Sequence, residues 1–523
     1  MVGSDPLRSK SKAAQPILKR QAVNERLGII DLGSNSARMV VFQYQPHLAF
    51  TQIDDVKETV RLAHGIGDDN LLQQETITRA AETLTMFTAL GKSLGLPRLI
   101  AVATSAVRDA ANQPAFLAHI KETAGIDLRV LSGEEEAYYG YLGAVNSLSF
   151  SDGFIFDIGG GSMQLSLVRG RGLVRSISLP LGTIRLFERF LSTDRPSAEQ
   201  LSRLESYLQE QLSTIEWFGC LGAMQLVGMG GTVRNLAKID QEAQGYPLDK
   251  LHGYEIPIER VEEIAAQLAL LSTQERQDIP GLSRDRADTI LPGVILIRSL
   301  MRYSGCRSLL ISGHGLREGL FYEQFLAGAR PPLIADVRAF GIENLARRYE
   351  CQRVHAAKVR DLSLQLFDQL QPLHGYGAWE RELLAAAALI HDIGIAINYY
   401  DHHKHGLYLI LNSFLPGYSH REIILIALLT RYHRKGTVKL GAFESVLSND
   451  DEQRIARLSA LLRIAEYLER GKSQVVQGLR CSIADGLVRV EVVSLGDATM
   501  EIWAANQKTR LFRKAYGYDI NMI

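Results

Sequence analysis

The spacing of apolar residues along the chain predicts an α/β first part and a helical second part. Short apolar runs end in an acid followed by Gly and Ser at residues 27–36 and 154–162, as buried strands do when they lead into a ligand loop. Between such runs, apolar residues recur at helical spacing, which predicts helices over 75–94 and 198–215. Pro331 and Pro332 interrupt this pattern, and the sequence beyond them has helical spacing only. We therefore expect an α/β fold followed by an all-helical region.

The C-terminal residues return to a pattern that favours strands. Apolar and polar residues alternate over Leu487–Val493, and Met500–Trp503 is a second predicted strand. At the other end, residues 1–25 are basic and lack an apolar core segment, so we expect neither a signal peptide nor a membrane anchor there. A chain of 523 residues is too long for one core. The predicted units are 1–25 (disordered basic tail), 26–144 and 145–328 (α/β domains), 329–472 (helical domain) and 473–523 (small C-terminal unit).

Composition limits the partners of this protein. Lys and Arg together number 58, as do Asp and Glu, so no global field attracts nucleic acid or a membrane. A binding site for a polyanion must therefore be a local concentration of Arg and Lys. The four cysteines are scattered, which is typical of reduced thiols in a cytoplasmic protein.

The glycine-rich turns after the predicted strands carry the first candidate chemistry. Glycine leaves backbone N–H groups unobstructed, so such turns can hold phosphate, and Asp157 at a strand end can hold Mg²⁺ against the anion. Asp31 occupies the same place in the first turn. The candidate phosphate-binding residues are Gly33, Ser34, Asn35, Ser36, Gly159, Gly160, Gly161, Ser162, Gly230, Gly231 and Thr232.

Two further positions are candidates because of where they fall in the predicted α/β pattern. Arg108 follows the predicted strand 99–103, and ligands sit at strand ends in open α/β sheets. Arg286 precedes a predicted helix, and we include it as a substrate-binding residue.

The acids Glu134, Glu135 and Glu136 open another helix. Acids there usually only complement the helix dipole, but one of the three could point into a cleft and activate water; these residues alone do not choose which.

The paired turns resemble those of the actin/Hsp70/sugar-kinase fold, in which two ribonuclease-H-like domains close on a phosphate. Four motifs, at 31–36, 133–137, 157–162 and 315–319, together resemble the exopolyphosphatase/guanosine pentaphosphate phosphohydrolase (Ppx/GppA) family. This resemblance implies two ribonuclease-H-like α/β domains, then an all-α domain related to the HD phosphohydrolases and a small C-terminal α+β unit.

The resemblance also implies roles for single residues. Glu136 would activate the attacking water, and Asp157, with Asp31, would bind Mg²⁺, for which Mn²⁺ could substitute. Ser34, Asn35, Ser36, Arg38, Arg108 and the 159–162 turn match positions that hold phosphate. One position departs from the family pattern, because Gln164 stands where relatives usually carry Glu. We expect a weaker metal site there, or water positioning that rests on Glu136 alone.

The helical domain raises a second hypothesis. His355, His391 and Asp392 match the first three ligands of an HD metal site, and Glu466 stands where those enzymes place Asp. Imidazoles with a carboxylate suit a divalent metal. The alternative is a domain without metal, whose residues His433, Arg434 and Lys435 form a basic strip for the substrate chain.

The leading functional expectation is a cytoplasmic, homodimeric exopolyphosphatase that releases terminal phosphate from inorganic polyphosphate, with guanosine pentaphosphate, of the (p)ppGpp class, as a second substrate. One alternative is a nucleotide-binding regulator or ATPase with the actin/sugar-kinase fold. Another is an HD-type phosphohydrolase whose front half is a sensor.

Overall fold

The computed structural model describes residues 24–66, 69–191, 193–219 and 224–523. Strands in these residues form a five-stranded, a six-stranded and a three-stranded sheet. The two larger sheets belong to the first 325 residues, and helices fill the sequence between them and the small C-terminal sheet. No helix in the described ranges is long and apolar enough to cross a bilayer.

The first sheet has the strand order β3-β2-β1-β4-β5. Strands β1, β2 and β3 are antiparallel neighbours, whereas β4 lies parallel to β1 and β5 parallel to β4. The elements are β1 (Glu25–Leu32), β2 (Ser36–Gln45), β3 (Ala49–Thr59), α1 (Gln74–Ser93), β4 (Leu99–Ala103), α2 (Ser105–Arg108), α3 (Gln113–Ala124), β5 (Arg129–Val130) and α4 (Gly133–Val145).

The second sheet repeats this plan, with the order β10-β11-β9-β6-β7-β8. Strands β6, β7 and β8 are antiparallel, and β9 and β11 continue the sheet in parallel. The elements are β6 (Gly153–Ile158), β7 (Met163–Arg169), β8 (Gly172–Leu179), α5 (Thr183–Phe190), α6 (Ala198–Ser213), β9 (Gln225–Met229), α7 (Gly231–Gln244), β10 (Glu255–Pro257), α8 (Ile258–Leu270), α9 (Thr273–Arg276), a 3-10 turn (Arg284–Arg286), α10 (Ile290–Ser304), β11 (Ser308–Ile311) and α11 (Leu316–Phe325).

The two α/β units share a core through two helices. Helix α4 packs against α11 and the second sheet, while α11 packs against β1 and β2 of the first. The rings of Phe42 and Phe321 stack 4.0 Å apart across this contact. Helices α4 and α11 together therefore join the two units. The domain boundaries predicted after residues 144, 328 and 472 stay predictions.

Residues 337–468 are helical, as the sequence predicts. The fully buried Ala387 and Ala388 allow neighbouring helices to approach the helix that carries them. The elements are α12 (Val337–Arg348), α13 (Arg353–Gln369), α14 (Gln371–His374), α15 (Ala378–Ile390), a 3-10 turn (Ile393–Ala396), α16 (His402–Asn412), α17 (His420–Tyr432), a 3-10 turn (Gly441–Phe443) and α18 (Asp451–Leu468).

The C-terminal unit contains both strands and helices. Its elements are β12 (Val476–Ala484), β13 (Leu487–Ser494), α19 (Thr499–Asn506), α20 (Arg510–Tyr516) and β14 (Asp519–Met522). The strand predicted at Met500–Trp503 is wrong, because these residues lie in α19. The buried residues of that helix, Glu501, Ala504 and Ala505, have helical spacing and face α18, whereas Trp503 is exposed. Packing against α18 thus outweighs the strand preference of Ile and Trp.

Two long helices predicted from apolar spacing are confirmed as α1 and α6, with ends that differ by one or two residues. The basic tail predicted for residues 1–25 lies outside the described residues up to position 23, and β1 begins at Glu25.

Candidate active site

Two equivalent turns lie at the carboxyl ends of the central strands β1 and β6. In the first, the Gly33 N–H donates to the Ser36 carbonyl at 3.1 Å; in the second, Gly159 donates to Ser162 at 2.9 Å. Both turns follow an acid, Asp31 or Asp157, and lead into an antiparallel strand. Strand ends in such sheets meet at one edge, so the repeated fold brings the twin turns together.

The two turns pack against each other so closely that glycine is needed. A Cβ atom on Gly160 would lie 3.0 Å from the Ser34 Cβ, and one on Gly161 would lie 2.8 Å from the Ser105 Oγ. Ser34 and Ser105 are joined by a hydrogen bond of 3.0 Å between their hydroxyls. The space between the two α/β units is therefore narrow at this point.

A cavity of about 150 Å³ lies beside these turns and brings most predicted site residues together. We call it the central cavity. Its lining includes the three acids Asp31, Glu136 and Asp157 and the three arginines Arg234, Arg286 and Arg317. The other predicted residues that line it are Gly33, Ser34, Asn35, Ser36, Gly159, Gly160, Ser162, Gly230, Gly231 and Arg286. Gly161 lines an adjoining cavity instead.

The first turn of α4 distinguishes its three acids. Ser132 and Glu135 form a capping box, and Glu135 also pairs with Arg129, so that carboxylate is engaged in holding the helix end. Glu134 is exposed. Glu136 is only 8% exposed and lines the central cavity, where it pairs with Arg108. The fold therefore places one acid of the three where it can contact a substrate.

Burial raises the pKa of Glu136 to about 7, and the facing Arg108 guanidinium opposes the shift. Burial likewise raises the pKa of Asp157 to about 6 and, despite Arg317, that of Asp31 above its ordinary value. Groups with pKa values near neutrality can accept a proton and release it again during turnover. A bound cation would favour the ionised form of these acids, which burial alone disfavours.

The donor set of this cavity suits magnesium. Mg²⁺ prefers oxygen ligands and keeps several waters, and the cavity offers carboxylate and hydroxyl oxygens. Asp31 accepts a hydrogen bond from Arg317 at 3.0 Å, so Asp157 is the freer of the two acids. At Gly230, φ is +96° and a Cβ would lie 2.7 Å from the Asp157 Oδ1, so only glycine fits beside this carboxylate.

The third glycine turn, Gly230 and Gly231, leads into α7. It brings the Arg286 guanidinium to the cavity rather than the Thr232 hydroxyl. A Cβ on Gly231 would lie 2.2 Å from an Arg286 nitrogen, so glycine lets that guanidinium lie over the helix N-terminus. Thr232 does not line the cavity, which corrects the sequence prediction. Its side chain is buried and packs on Gly293 of α10.

A second cavity of about 220 Å³ adjoins the first and is lined by cations. We call it the basic groove. Its basic residues are Arg38, Lys57, Arg234, Lys238, Arg286 and Arg317. Within the described part of the chain, neither Arg234 nor Arg286 forms an ion pair. Burial lowers the pKa of both guanidinium groups. Such partly buried, unneutralised guanidinium groups are typical of an anion site.

Four of these six residues were not among the predicted site residues. Arg234 lies in the helical turn after Gly231, and Arg317 lies within a motif that carries the family resemblance, so the sequence offered a signal for both. Lys57 and Lys238 have no comparable signal. Of the predicted phosphate-binding residues outside the central cavity, Arg38 bonds to Asp55 at 2.6 Å and Arg108 pairs with Glu136.

The chain matches two family descriptions. The Ppx/GppA phosphatase family matches residues 40–327, more than half of the 523 residues, and Ppx/GppA phosphatase domain III matches residues 337–496. The chain belongs to the Ppx/GppA phosphatase family. The match to domain III identifies it as a long-form member, and it agrees with the fold described above.

Solved structures that are similar to this chain match a little over half of it. An exopolyphosphatase from Cytophaga hutchinsonii is 25% identical in sequence to this chain and superposes with a TM-score of 0.53. The match spans 58% of this chain and 98% of the Cytophaga protein. The Ppx/GppA family member from Aquifex aeolicus is 28% identical with a TM-score of 0.51, and also covers 58% of this chain and 98% of its own.

Gln164, the departure from the family pattern, lines the central cavity. Its amide donates to the Ser162 hydroxyl at 2.9 Å and to the Ser178 hydroxyl at 3.1 Å. The side chain therefore holds the second turn in place. A carboxylate here would add a negative charge to the wall that carries Asp157.

Domain III brings the predicted metal ligands together. Nitrogens of His355 and His391 and an oxygen of Glu466 lie within 4.8 Å of one another, and Asp392 forms a similar group with two histidines that were not predicted as ligands, His402 and His433. The sequence signal for His402 was its place among the histidines that follow Asp392.

The predicted basic strip in domain III is not a continuous surface, because one of its three residues is buried. His433 is fully buried within the histidine cluster, which excludes it from contact with a polymer in solvent. Lys435 is exposed but pairs with Asp401 at 3.3 Å. Arg434 lies over the Tyr399 ring, 5.7 Å from its centroid, near that cluster. A larger set of cations, six in number, lines the basic groove between the α/β units.

Proposed function

We propose that this Ppx/GppA phosphatase is an exopolyphosphatase that releases terminal orthophosphate from inorganic polyphosphate with the help of Mg²⁺. The observation that carries the proposal is the continuity of two cavities. The central cavity holds the acids, and the basic groove, which shares Ser36, Gly231, Arg234, Arg286 and Arg317 with it, extends from there as a strip of positive charge.

The terminal phosphate fits the central cavity. Backbone N–H groups of the two glycine turns and the cavity arginines would hold its oxygens, which is the main requirement of phosphoryl transfer. Mg²⁺ held by Asp157 and Asp31 would neutralise charge on the phosphate. Glu136 in its ionised form accepts a proton from the attacking water, whose oxygen forms the new bond to phosphorus. The bond from the terminal phosphorus to the bridging oxygen breaks, and the rest of the polymer leaves with that oxygen as a chain one phosphate shorter.

The basic groove explains why a polymer would be preferred to a single phosphate. Its six Arg and Lys residues can contact successive phosphates of one chain. Each additional charged hydrogen bond adds to affinity, by about 1.5–3 kcal/mol where water is excluded. Affinity should therefore rise with chain length until the groove is filled.

Guanosine pentaphosphate is the second candidate substrate, and an adjoining cavity favours it. This cavity, of about 620 Å³, shares Ser34, Ser105 and Gly160 with the central cavity, and Arg185 and Glu188 also line it. It is large enough for a nucleoside whose phosphates enter the central cavity.

Phosphate release from polyphosphate, guanosine pentaphosphate and ATP, each with Mg²⁺ or Mn²⁺, tests the proposal. We expect the highest kcat/KM for polyphosphate with Mg²⁺. If ATP alone is hydrolysed, the nucleotide-binding alternative of the actin/sugar-kinase fold is correct instead. Pyrophosphate serves as the control for chain length, because it cannot extend into the basic groove.

A further inference from the structure

The turn at residues 312–315 lies beside both acids that are proposed to hold Mg²⁺. All four of its residues line the central cavity, and we call it the cavity turn. It leads into α11, where Arg317 donates to the Asp31 carboxylate at 3.0 Å. A Cβ atom on Gly315 would lie 3.7 Å from the Asp157 Oδ2. A shift of the cavity turn would therefore change the surroundings of both carboxylates.

The cavity turn also packs against α4, the helix whose first turn carries Glu136. A Cβ atom on Gly143 of α4 would overlap the Gly315 carbonyl, so glycine is needed for this close approach. The proposed base and the cavity turn thus belong to two elements in direct contact. Their relative position sets how the base faces the two metal-binding acids.

His252 joins the cavity turn to the end of α4. Its Nδ1 accepts a hydrogen bond from the Gly313 N–H at 3.1 Å. Its Nε2 therefore carries the proton and donates to the Ser147 carbonyl, at 3.0 Å and two residues beyond α4. Burial lowers the pKa of His252 well below its ordinary value, which keeps the ring in the neutral form that both bonds need.

Domain III contacts the same two places through the segment between α16 and α17. The ring of Phe414 stacks on the ring of His314 in the cavity turn, with 4.4 Å between the centroids and 24° between the planes. The Gly417 N–H donates to the Ser147 carbonyl at 2.9 Å, and this is the oxygen that His252 also contacts. Domain III therefore packs behind the cavity turn and behind the end of α4.

Phe414 lies where domain III meets both α/β units. Its ring centroid is 5.5 Å from that of His252 in the second unit and 6.4 Å from that of Phe50 in the first. The residue before it is fixed as well, because the Lys250 ammonium donates to the Ser413 carbonyl at 2.6 Å. One aromatic ring thus contacts three parts of the chain directly behind the central cavity.

The ring of His314 is oriented by aromatic contacts. Among the described residues its side chain forms no hydrogen bond, and its buried Nδ1 has no partner. The rings that contact it are those of Phe414 and of His252, the latter with centroids 5.0 Å apart. Contacts between rings depend on orientation as well as distance, so Phe414 fixes both for His314.

We propose that domain III positions the cavity turn for hydrolysis in the central cavity, with Phe414 as the positioning residue and His314 as the contact through which it acts. Phe414 lines neither the central cavity nor the basic groove, so its effect on the reaction passes through the turn. The inference rests on the function proposed above. It adds a role for domain III in the chemical step, separate from binding of the polymer.

Steady-state kinetics of full-length Phe414→Ala with long polyphosphate tests the proposal. We expect kcat to fall about 10–100-fold, because small displacements of catalytic groups have effects of this size. KM should stay close to the wild-type value, since Lys57 and Lys238 of the basic groove are unchanged. Phe414→Tyr keeps the ring and should restore most of kcat. If Phe414→Ala does not fold, Phe414→Leu replaces it, because leucine fills the space without a ring.

Phe340→Ala is the matched control. Phe340 is another aromatic residue of domain III, and its ring contacts Phe50 and Phe325 rather than the cavity turn. This variant should keep the wild-type kcat even if its thermal stability falls as much as that of Phe414→Ala. Equal losses of kcat in the two variants, or an unchanged kcat in Phe414→Ala, would overturn the proposal.

Hydrogen exchange separates this inference from the function proposed above. The amides of residues 313–315 are all hydrogen-bonded, to His252, to the Ser312 hydroxyl and to Glu318. They should exchange faster in Phe414→Ala than in wild type or Phe340→Ala. If wild type hydrolyses no polyphosphate, the proposed function fails, and exchange in the cavity turn still decides whether Phe414 holds it. Unchanged exchange at these amides would show that it does not.

Discussion

The central cavity and the domain III cluster both combine acids with nearby cations, but they differ in the ligands that they offer a metal. The cavity offers carboxylates, hydroxyls and backbone N–H groups, whereas the cluster offers four imidazoles and two carboxylates. Oxygen ligands suit Mg²⁺, and imidazoles suit transition metals. The surroundings differ as well, because the cavity continues into a groove with six cations and the cluster has three at its rim. The comparison predicts a polymer substrate for the first site, because only that site continues into an extended strip of cations.

The largest expected effect separates the chemistry of the central cavity from binding. Glu136→Gln removes the proposed base but keeps its size, so we expect kcat for polyphosphate to fall by about 10²–10⁴-fold while binding is retained. Initial rates and equilibrium binding of a long polyphosphate measure the two effects. Glu134→Gln, an exposed acid in the same helical turn, is the control. A similar loss with Glu134→Gln would show that the helix charge matters rather than one base.

The next effect tests which region binds the polymer. Lys57→Ala with Lys238→Ala removes two cations of the basic groove, and we expect KM to rise about 10-fold for long polyphosphate and little for short chains. The increase should be smaller at high salt, because exposed charges are screened. Steady-state kinetics over a series of chain lengths provides the measurement. Lys435→Ala in domain III is the control. An equal rise in KM with this variant would show that domain III binds the polymer, although His433 is buried.

A third prediction concerns the metal in the central cavity. Gln164→Glu adds a negative charge near Asp157, so the Mg²⁺ concentration for half-maximal rate should fall about 10-fold. Titration of Mg²⁺ at saturating polyphosphate measures this value. Gln164→Ala loses the hydrogen bonds to both serines without adding charge, and it separates the two effects. An unchanged Mg²⁺ requirement in the glutamate variant would place Gln164 outside the metal environment.

The smallest effect is on the pH profile. Burial raises the pKa of Glu136 to about 7, and only its ionised form can accept a proton. Polyphosphate hydrolysis should therefore rise with pH up to about 7 and level off above it. A nearby cation favours the ionised carboxylate, so higher Mg²⁺ should move this limb to lower pH. Rates from pH 5 to 9 at two Mg²⁺ concentrations test this. If the Mg²⁺ concentration does not shift the rise of the rate with pH, a group other than Glu136 controls that rise.

Much of the fold followed from local patterns in the sequence. Apolar runs that end in Asp-X-Gly predicted β1 and β6 with their turns, and helical spacing predicted α1, α6 and domain III. The prediction failed at Met500–Trp503 because a short apolar segment with aromatic and branched residues fits either a strand or a helix. Packing on α18 decided between them.

Local sequence is enough to predict the twin turns, the acids that precede them and the histidines of domain III. Packing between distant elements selects Glu136 from three consecutive acids, places His402 and His433 beside Asp392, and gathers the cations of the basic groove between the α/β units. A local pattern fixes only the face of a strand or helix on which a residue lies. Which faces meet depends on packing between elements that can be hundreds of residues apart, as Lys57 and Asp285 are at 3.1 Å.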